Sequence, residues 1–140
     1  MAQDNVELMR RAYRAFERGD LDTVYEILDP EVELSDHAEL PDAGSYKGHA
    51  GVLEAVANQA RVWDGWQMII DRFVPVGEDK VVVLHRQTGR SKLTGLIMKA
   101  PYAHVWTMRR GRAVKLETYG SWEEGLRAAG VPAQESQPRA

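Results

Sequence analysis

Two residues, distant in the chain, carry chemistry that packing alone does not require. Asp36 ends the alternating run "EVELSD", in phase with Val32 and Leu34. His104 stands in "AHVWTMRRGRAV", in phase with Tyr102, Trp106 and Met108. Strand side chains alternate between faces, so each of the two points where its apolar phase mates point. A carboxylate at the rim of an apolar cavity holds a proton more tightly than in water, which suits a general base. A buried imidazole stays neutral; it donates one N–H, or takes up a proton near pH 7. Each residue also has a plainer reading. Asp36 can cap the loop that follows it, and His104 can sit in a core, bonded to a carbonyl.

Other side chains could build the surroundings. In "VVVLHRQTGR" either His85 or Arg86 must face inward, since adjacent strand residues point apart. Val82 and Leu84 are both apolar, so phase does not choose between them. Arg86 inward would clamp a carboxylate or enolate oxygen. On the last strand the inward phase is expected to be Val114, Leu116, Thr118 and Gly120. Trp63, Trp66, Trp106, Met68, Met98 and Met108 supply aromatic and soft apolar surface, either as core or as the wall of a pocket for a ring-like ligand. His37, His49, His85 and His104 are scattered, with no i, i+4 pair on a helix, so no metal site is expected. No glycine pattern matches a phosphate loop or a dinucleotide fingerprint, so no cofactor is expected. Arg109, Arg110 and Arg112 read as a solvated turn.

These residues need elements to hold them. "DNVELMRRAYRAFERGD" has Val6, Met9, Ala12, Tyr13 and Phe16 on one face and reads as a helix ending at Gly19. "DLDTVYEIL" restarts as a second helix on Leu21, Val24, Tyr25 and Leu28, closed by Pro30. "EVELSD" is a half-buried strand, and "HAELPDAGSYKG" a loop. "HAGVLEAVANQARVW" is a third helix, with Leu53, Val56, Ala60 and Trp63 on one face. Four strand-like runs follow: "WQMIIDRFVPV", "KVVVLHRQTGR", "LTGLIMKAPYAHVWTM" and "AVKLETYGSW". "SWEEGLRAAG" forms a short last helix. Helices first and long hairpin-linked strands afterwards imply an α+β fold with a mainly antiparallel sheet.

Composition sets the bounds. The chain has 140 residues, 44% hydrophobic and 28% charged, with net charge −3. That is the size and balance of one domain with one core. No global basic excess is present to hold nucleic acid. No apolar run approaches the roughly 18 residues of a membrane span, and no membrane partner is expected. The start lacks the basic-then-apolar order of a secretory signal, so a cytoplasmic location is expected. With no cysteine, thiolate nucleophiles and disulfides are excluded. Residues 1–132 are expected as the domain and the polar stretch 133–140 as a flexible tail.

The stretches "AYRAFERGDLDTVYEILDPEVEL", "YKGHAGVLEAV", "AHVWTMRRGRAVKLETY" and "WEEGLRAAGV" occur in this order across about residues 4–130. In order and spacing the chain resembles the SnoaL-like branch of the nuclear-transport-factor-two-like superfamily, which includes ketosteroid isomerases. The resemblance implies three N-terminal helices packed in a strongly curved, cone-shaped cystatin-like sheet around an internal pocket, and a homodimer through the outer sheet face. It implies an isomerase or cyclase acting on a small apolar carbonyl compound, or the same fold used only to bind such a ligand. Asp36 then falls where the isomerases carry their base. His104 matches their protonated carboxylic acid, which a histidine does not reproduce. The isomerase tyrosine matches Ala12; Tyr13, beside it, lies about 100° around the helix. The limonene-type epoxide hydrolases of this superfamily need an aspartate where Thr118 stands. The resemblance thus makes Asp36 and His104 the candidate catalytic pair, with Tyr13, Trp63, Arg86, Trp106, Met108 and Thr118 as candidate substrate contacts.

Overall fold

The computed structural model describes residues 2–36 and 45–131. His37, the rest of the expected loop through Gly44, and the expected tail lie outside the described residues. Four helices and six strands run in the order α1 (Ala2–Glu17), α2 (Leu21–Ile27), β1 (Leu28–Asp36), β2 (Ser45–Lys47), α3 (Gly48–Val62), β3 (Trp63–Val76), β4 (Lys80–Ser91), β5 (Ile97–Arg109), β6 (Arg112–Tyr119), α4 (Trp122–Ala128). They form a single α+β sheet structure, with strands ordered β2-β1-β6-β5-β4-β3. All neighbours pair antiparallel except β1 and β6. The sheet curves without closing, so β2 and β3 are its edges.

Curvature comes from irregular pairing. Register shifts lie between Leu28 and Glu33 on β1, at two places on β3, and between Thr107 and Met108 on β5. Bulges of this kind bend a strand and raise its twist. The concave side holds α1, whose Val6, Met9, Ala12, Tyr13 and Ala15 are buried against Val81, Val83, Trp106 and Met108. Asn5 of α1 donates to the Glu78 carbonyl (2.9 Å) and ties the start of the helix to the β3–β4 turn. On the convex side, Trp122, Leu126 and Ala129 pack on Val82, Leu84, Ala103 and Val105. The middle of β4 and β5 is therefore buried on both faces.

Several expected boundaries shift. Leu28 starts a strand rather than ending α2, and Pro30 lies within β1, in the stretch where the register is broken. A proline has no N–H to offer a ladder, and an irregular stretch tolerates it. Part of the expected loop, Ser45–Lys47, is a short strand on β1. Leu53 is 53% exposed, and the buried residues of α3 are Gly51 and Val52. Val52 thus takes the inward place expected of Leu53, while Val56, Ala60 and Trp63 face inward as expected. Trp63 opens β3 instead of closing α3. Gly95, with φ 73°, belongs to the turn between β4 and β5 rather than to a bent strand. The "RRGR" turn is a tight one, with positive φ at Arg110 (53°) and Gly111 (76°), the conformation that matches hairpin twist.

Gly125 marks the closest approach of α4 to the sheet, for a side-chain carbon there would collide with the Ala103 methyl. Helix propensity alone would make Gly125→Ala stabilising by up to ~1 kcal/mol. Overpacking of this contact should reverse the sign and cost ~1–3 kcal/mol, read as a lower urea midpoint at unchanged slope.

Candidate active site

Between the helices and the concave face of the sheet lies a cavity of about 510 Å³. Its walls include Phe16 from α1, Val56 and Gln59 from α3, Trp63 and Trp66 from β3, and Leu34, Asp36, Leu116, Thr118 and His104 from β1, β6 and β5. A smaller space of about 140 Å³ shares Phe16, Leu34, Met68 and His104 and reaches Tyr13 and Trp106. The only formal charge among the described lining residues of the larger cavity is that of Asp36.

Sheet register sets the polar groups in line. Asp36 pairs with Thr118 across β1 and β6, and Thr118 pairs with His104 across β6 and β5. Residues paired across strands share a face, and strands lie about 4.8 Å apart. Asp36 and His104 thus stand two strand spacings apart, roughly 10 Å between backbones, on one concave surface. Asp36 is half-buried at the end of β1; Thr118 and His104 are buried.

His104 is held by α1. Its Nδ1 lies 2.6 Å from the Tyr13 hydroxyl, and the Trp106 indole donates to the same oxygen at 2.8 Å. The Trp106 indole takes one lone pair of the hydroxyl, and the hydroxyl proton has no acceptor among the described residues other than Nδ1, so Tyr13 donates to His104. That order leaves His104 neutral with its proton on Nε2. Nε2 has no hydrogen-bond partner among the described residues, and the ring lines the cavity. Burial, with His85 beside it, pushes the His104 pKa well below its ordinary value. Burial also raises the Tyr13 hydroxyl pKa, so that proton stays in place.

A second chain of bonds fixes His85. The Trp66 indole donates to Gln87 Oε1 (3.2 Å), and the Gln87 amide donates to His85 Nε2 (3.0 Å). His85 Nδ1 donates to the Val83 carbonyl (3.1 Å). A donor-only indole at one end and an acceptor-only carbonyl at the other dictate every direction between them. His85 is therefore the Nδ1–H tautomer, opposite to His104, with the two ring centres 4.2 Å apart. Desolvation lowers its pKa to about 4. On the outside, the Trp122 indole donates to the His85 carbonyl (3.0 Å).

The expected candidates divide accordingly. Asp36, Trp63, Thr118 and His104 line the larger cavity, and Tyr13 and Trp106 the smaller one. Arg86 is a correction: His85 takes the inward position, so Arg86 points to the convex side. Met108 is a second correction, being packed in the core rather than lining either cavity. Val114 is a third. The register shift beside Met108 puts Ala113 inward, and Val114 faces outward with Thr107 and Lys115. Tyr13 lies on the expected helix face, yet its hydroxyl reaches His104. Gln87 was not singled out from sequence; its two-residue spacing from His85 was the signal available.

Two measurements check this assignment. Nitrogen-15 NMR of the imidazoles at neutral pH should show His104 protonated on Nε2 and His85 on Nδ1. Tyr13→Phe should abolish that preference at His104 and cost ~1–3 kcal/mol by leaving Trp106 unpaired. For pH, both histidines have folded pKa values below their unfolded ones. The unfolded chain therefore binds more protons in the window between. Stability should be full above the ordinary 6.5 and fall as pH drops toward about 4, as read by urea unfolding at each pH.

Several proteins share this arrangement of elements. An NTF2-like protein of unknown function from Burkholderia pseudomallei K96243 aligns over 91% of this chain and 98% of its own, at 25% identity and TM-score 0.72. TerC, crystallised with polyporic acid, aligns over 82% of this chain and 89% of its own, at 28% identity and TM-score 0.71. A protein with a ketosteroid isomerase-like fold from Catenulispora acidiphila DSM 44928, in complex with trimethylamine, aligns over 93% and 97%, at 17% identity and TM-score 0.68, a likeness of fold alone. No curated protein matches the sequence significantly. The profile of the SnoaL-like domain matches residues 9–116, most of the described chain, and the protein belongs to that family.

Proposed function

We propose that the protein is a small-molecule enzyme that moves a proton on an apolar, uncharged carbonyl compound. The observation that carries this reading is the row Asp36–Thr118–His104 on the wall of one cavity. In the proposed step the Asp36 carboxylate removes a proton from the carbon next to the carbonyl. The electron pair moves onto the carbonyl oxygen, and the Nε2–H of His104 donates a hydrogen bond to the resulting enolate. Return of the proton to another carbon gives isomerisation; attack of the enolate carbon on a second carbonyl opens that C=O π bond to an alkoxide, which takes the proton back from Asp36 and completes cyclisation. Both need a base and an oxyanion donor in a site that excludes water. A neutral histidine locked as a donor serves the second role without having to lose a proton. Phe16, Trp63 and Trp66 give such a ligand a flat apolar bed.

A second copy of the chain is proposed for the convex face beside α4. Ile69, Arg86 and Pro101 stand there in one register row. Ile69 is exposed, and Arg86 Nε is buried without a hydrogen-bond partner among the described residues.

The test starts from a panel of neutral cyclic ketones, selected by thermal shift and incubated with the protein in deuterated water. NMR should show faster deuterium uptake next to the carbonyl than in buffer. Asp36→Asn and His104→Phe should each slow it by about 10²–10⁴-fold, and His104→Gln, which keeps an N–H, by less. Ketones that bind without exchanging would overturn catalysis and leave a binding module. Unchanged exchange in both variants would remove these residues from the mechanism.

A further inference from the structure

The turn between β4 and β5 presents Leu93, Leu96 and Ile97 at 93%, 71% and 70% exposure. Large aliphatic side chains so fully exposed on one tip are an interaction signal, unlike apolar residues scattered singly. Hydrogen bonds give the tip a defined shape. Ser91 N–H donates to the Leu96 carbonyl (2.9 Å), Gly95 N–H to the Ser91 carbonyl (2.8 Å) and Lys92 N–H to the Val62 carbonyl (3.0 Å). Thr94 and Leu96 N–H groups donate to the Ser91 and Thr94 hydroxyls (3.2 Å each).

Cations surround this tip in a chain whose net charge is −3. Arg90 donates to the Gly95 carbonyl at 2.9 Å, and Lys92 to the Ala60 carbonyl at 2.6 Å. Arg61 lines the same hollow as Leu93, Leu96 and Ile97. The carboxylate beside them, Asp64, is 3.8 Å from Lys92. An apolar point set in a basic collar complements an anionic lipid surface, where headgroups meet the cations and acyl chains the leucines. A second copy fits less well, because a two-fold contact of the tip with itself would set these cations against their own images. Trp63 lines both this hollow and the larger cavity, so the tip adjoins the wall of a space suited to an apolar ligand.

We infer that the β4–β5 tip docks the protein on the surface of an anionic bilayer. Composition speaks against a membrane-spanning segment and a global basic charge; this patch is local and lies on the surface. The inference is independent of the catalytic reading.

The experiment is co-sedimentation with vesicles of phosphatidylcholine alone and of phosphatidylcholine with phosphatidylserine. Binding should require phosphatidylserine and weaken as salt rises. Leu93→Ser with Leu96→Ser should reduce it by at least about tenfold, given what burial of a leucine contributes. Both side chains are exposed, so the melting temperature should not change, and ketone exchange in solution should persist. No binding to either vesicle, or equal binding by the variant, overturns the inference. So does a variant that changes the solution mass by light scattering while the wild type ignores vesicles, since the tip would then serve a second copy.

Discussion

The Tyr13 hydroxyl is the point on which the interior depends. It joins a helix near the start of the chain to a strand ninety-one residues later. Three aromatic side chains meet at one oxygen. Trp106 donates to it, and the hydroxyl's own proton has no acceptor among the described residues other than His104 Nδ1. The tautomer of the histidine is thus set by the tyrosine hydroxyl, with the indole packed edge-to-face against the imidazole. Buried polar groups cost stability when any one of them goes unpaired. The packing of α1 into the sheet and the state of His104 are therefore a single constraint.

The second chain, from Trp66 through Gln87 to His85, follows the same logic beside the first. Two neutral rings with opposite tautomers lie side by side, His104 on the cavity wall and His85 behind it. Each accepts a hydrogen bond on the nitrogen that a further proton would occupy. The site is rigid at this end and more open at the other, where half-buried Asp36 closes the strand. Such an asymmetry suits chemistry in which one group stays fixed while another exchanges protons with solvent.

Much of this was legible in the sequence where a period of two or of 3.6 survives. Asp36, Thr118 and His104 share a phase with apolar neighbours, and their strands carry that phase to the right face. The inner stripe of α1 is equally plain. Legibility fails where the period is interrupted. The irregularity beside Met108 moves Val114 to the wrong side, and the broken register around Pro30 hides the true start of β1. It fails also where both faces are covered. Because α4 lies over Val82 and Leu84, β4 reads as a continuous apolar run. No alternation remains to separate His85 from Arg86. Gln87 acquires its importance only from Trp66, a neighbour supplied by pairing across strands.

The open sheet leaves β3 as a long outer strand. A free strand of fourteen residues would ordinarily invite another chain to add itself by backbone hydrogen bonds. Here Asp64, Asp71 and Arg72 are exposed along it, Pro75 withholds a donor near its end, and two irregularities break its straightness. A template so charged and so bent is a poor seed for ordered aggregation. The protein can therefore keep an uncapped sheet around its cavity and still resist stacking into fibres.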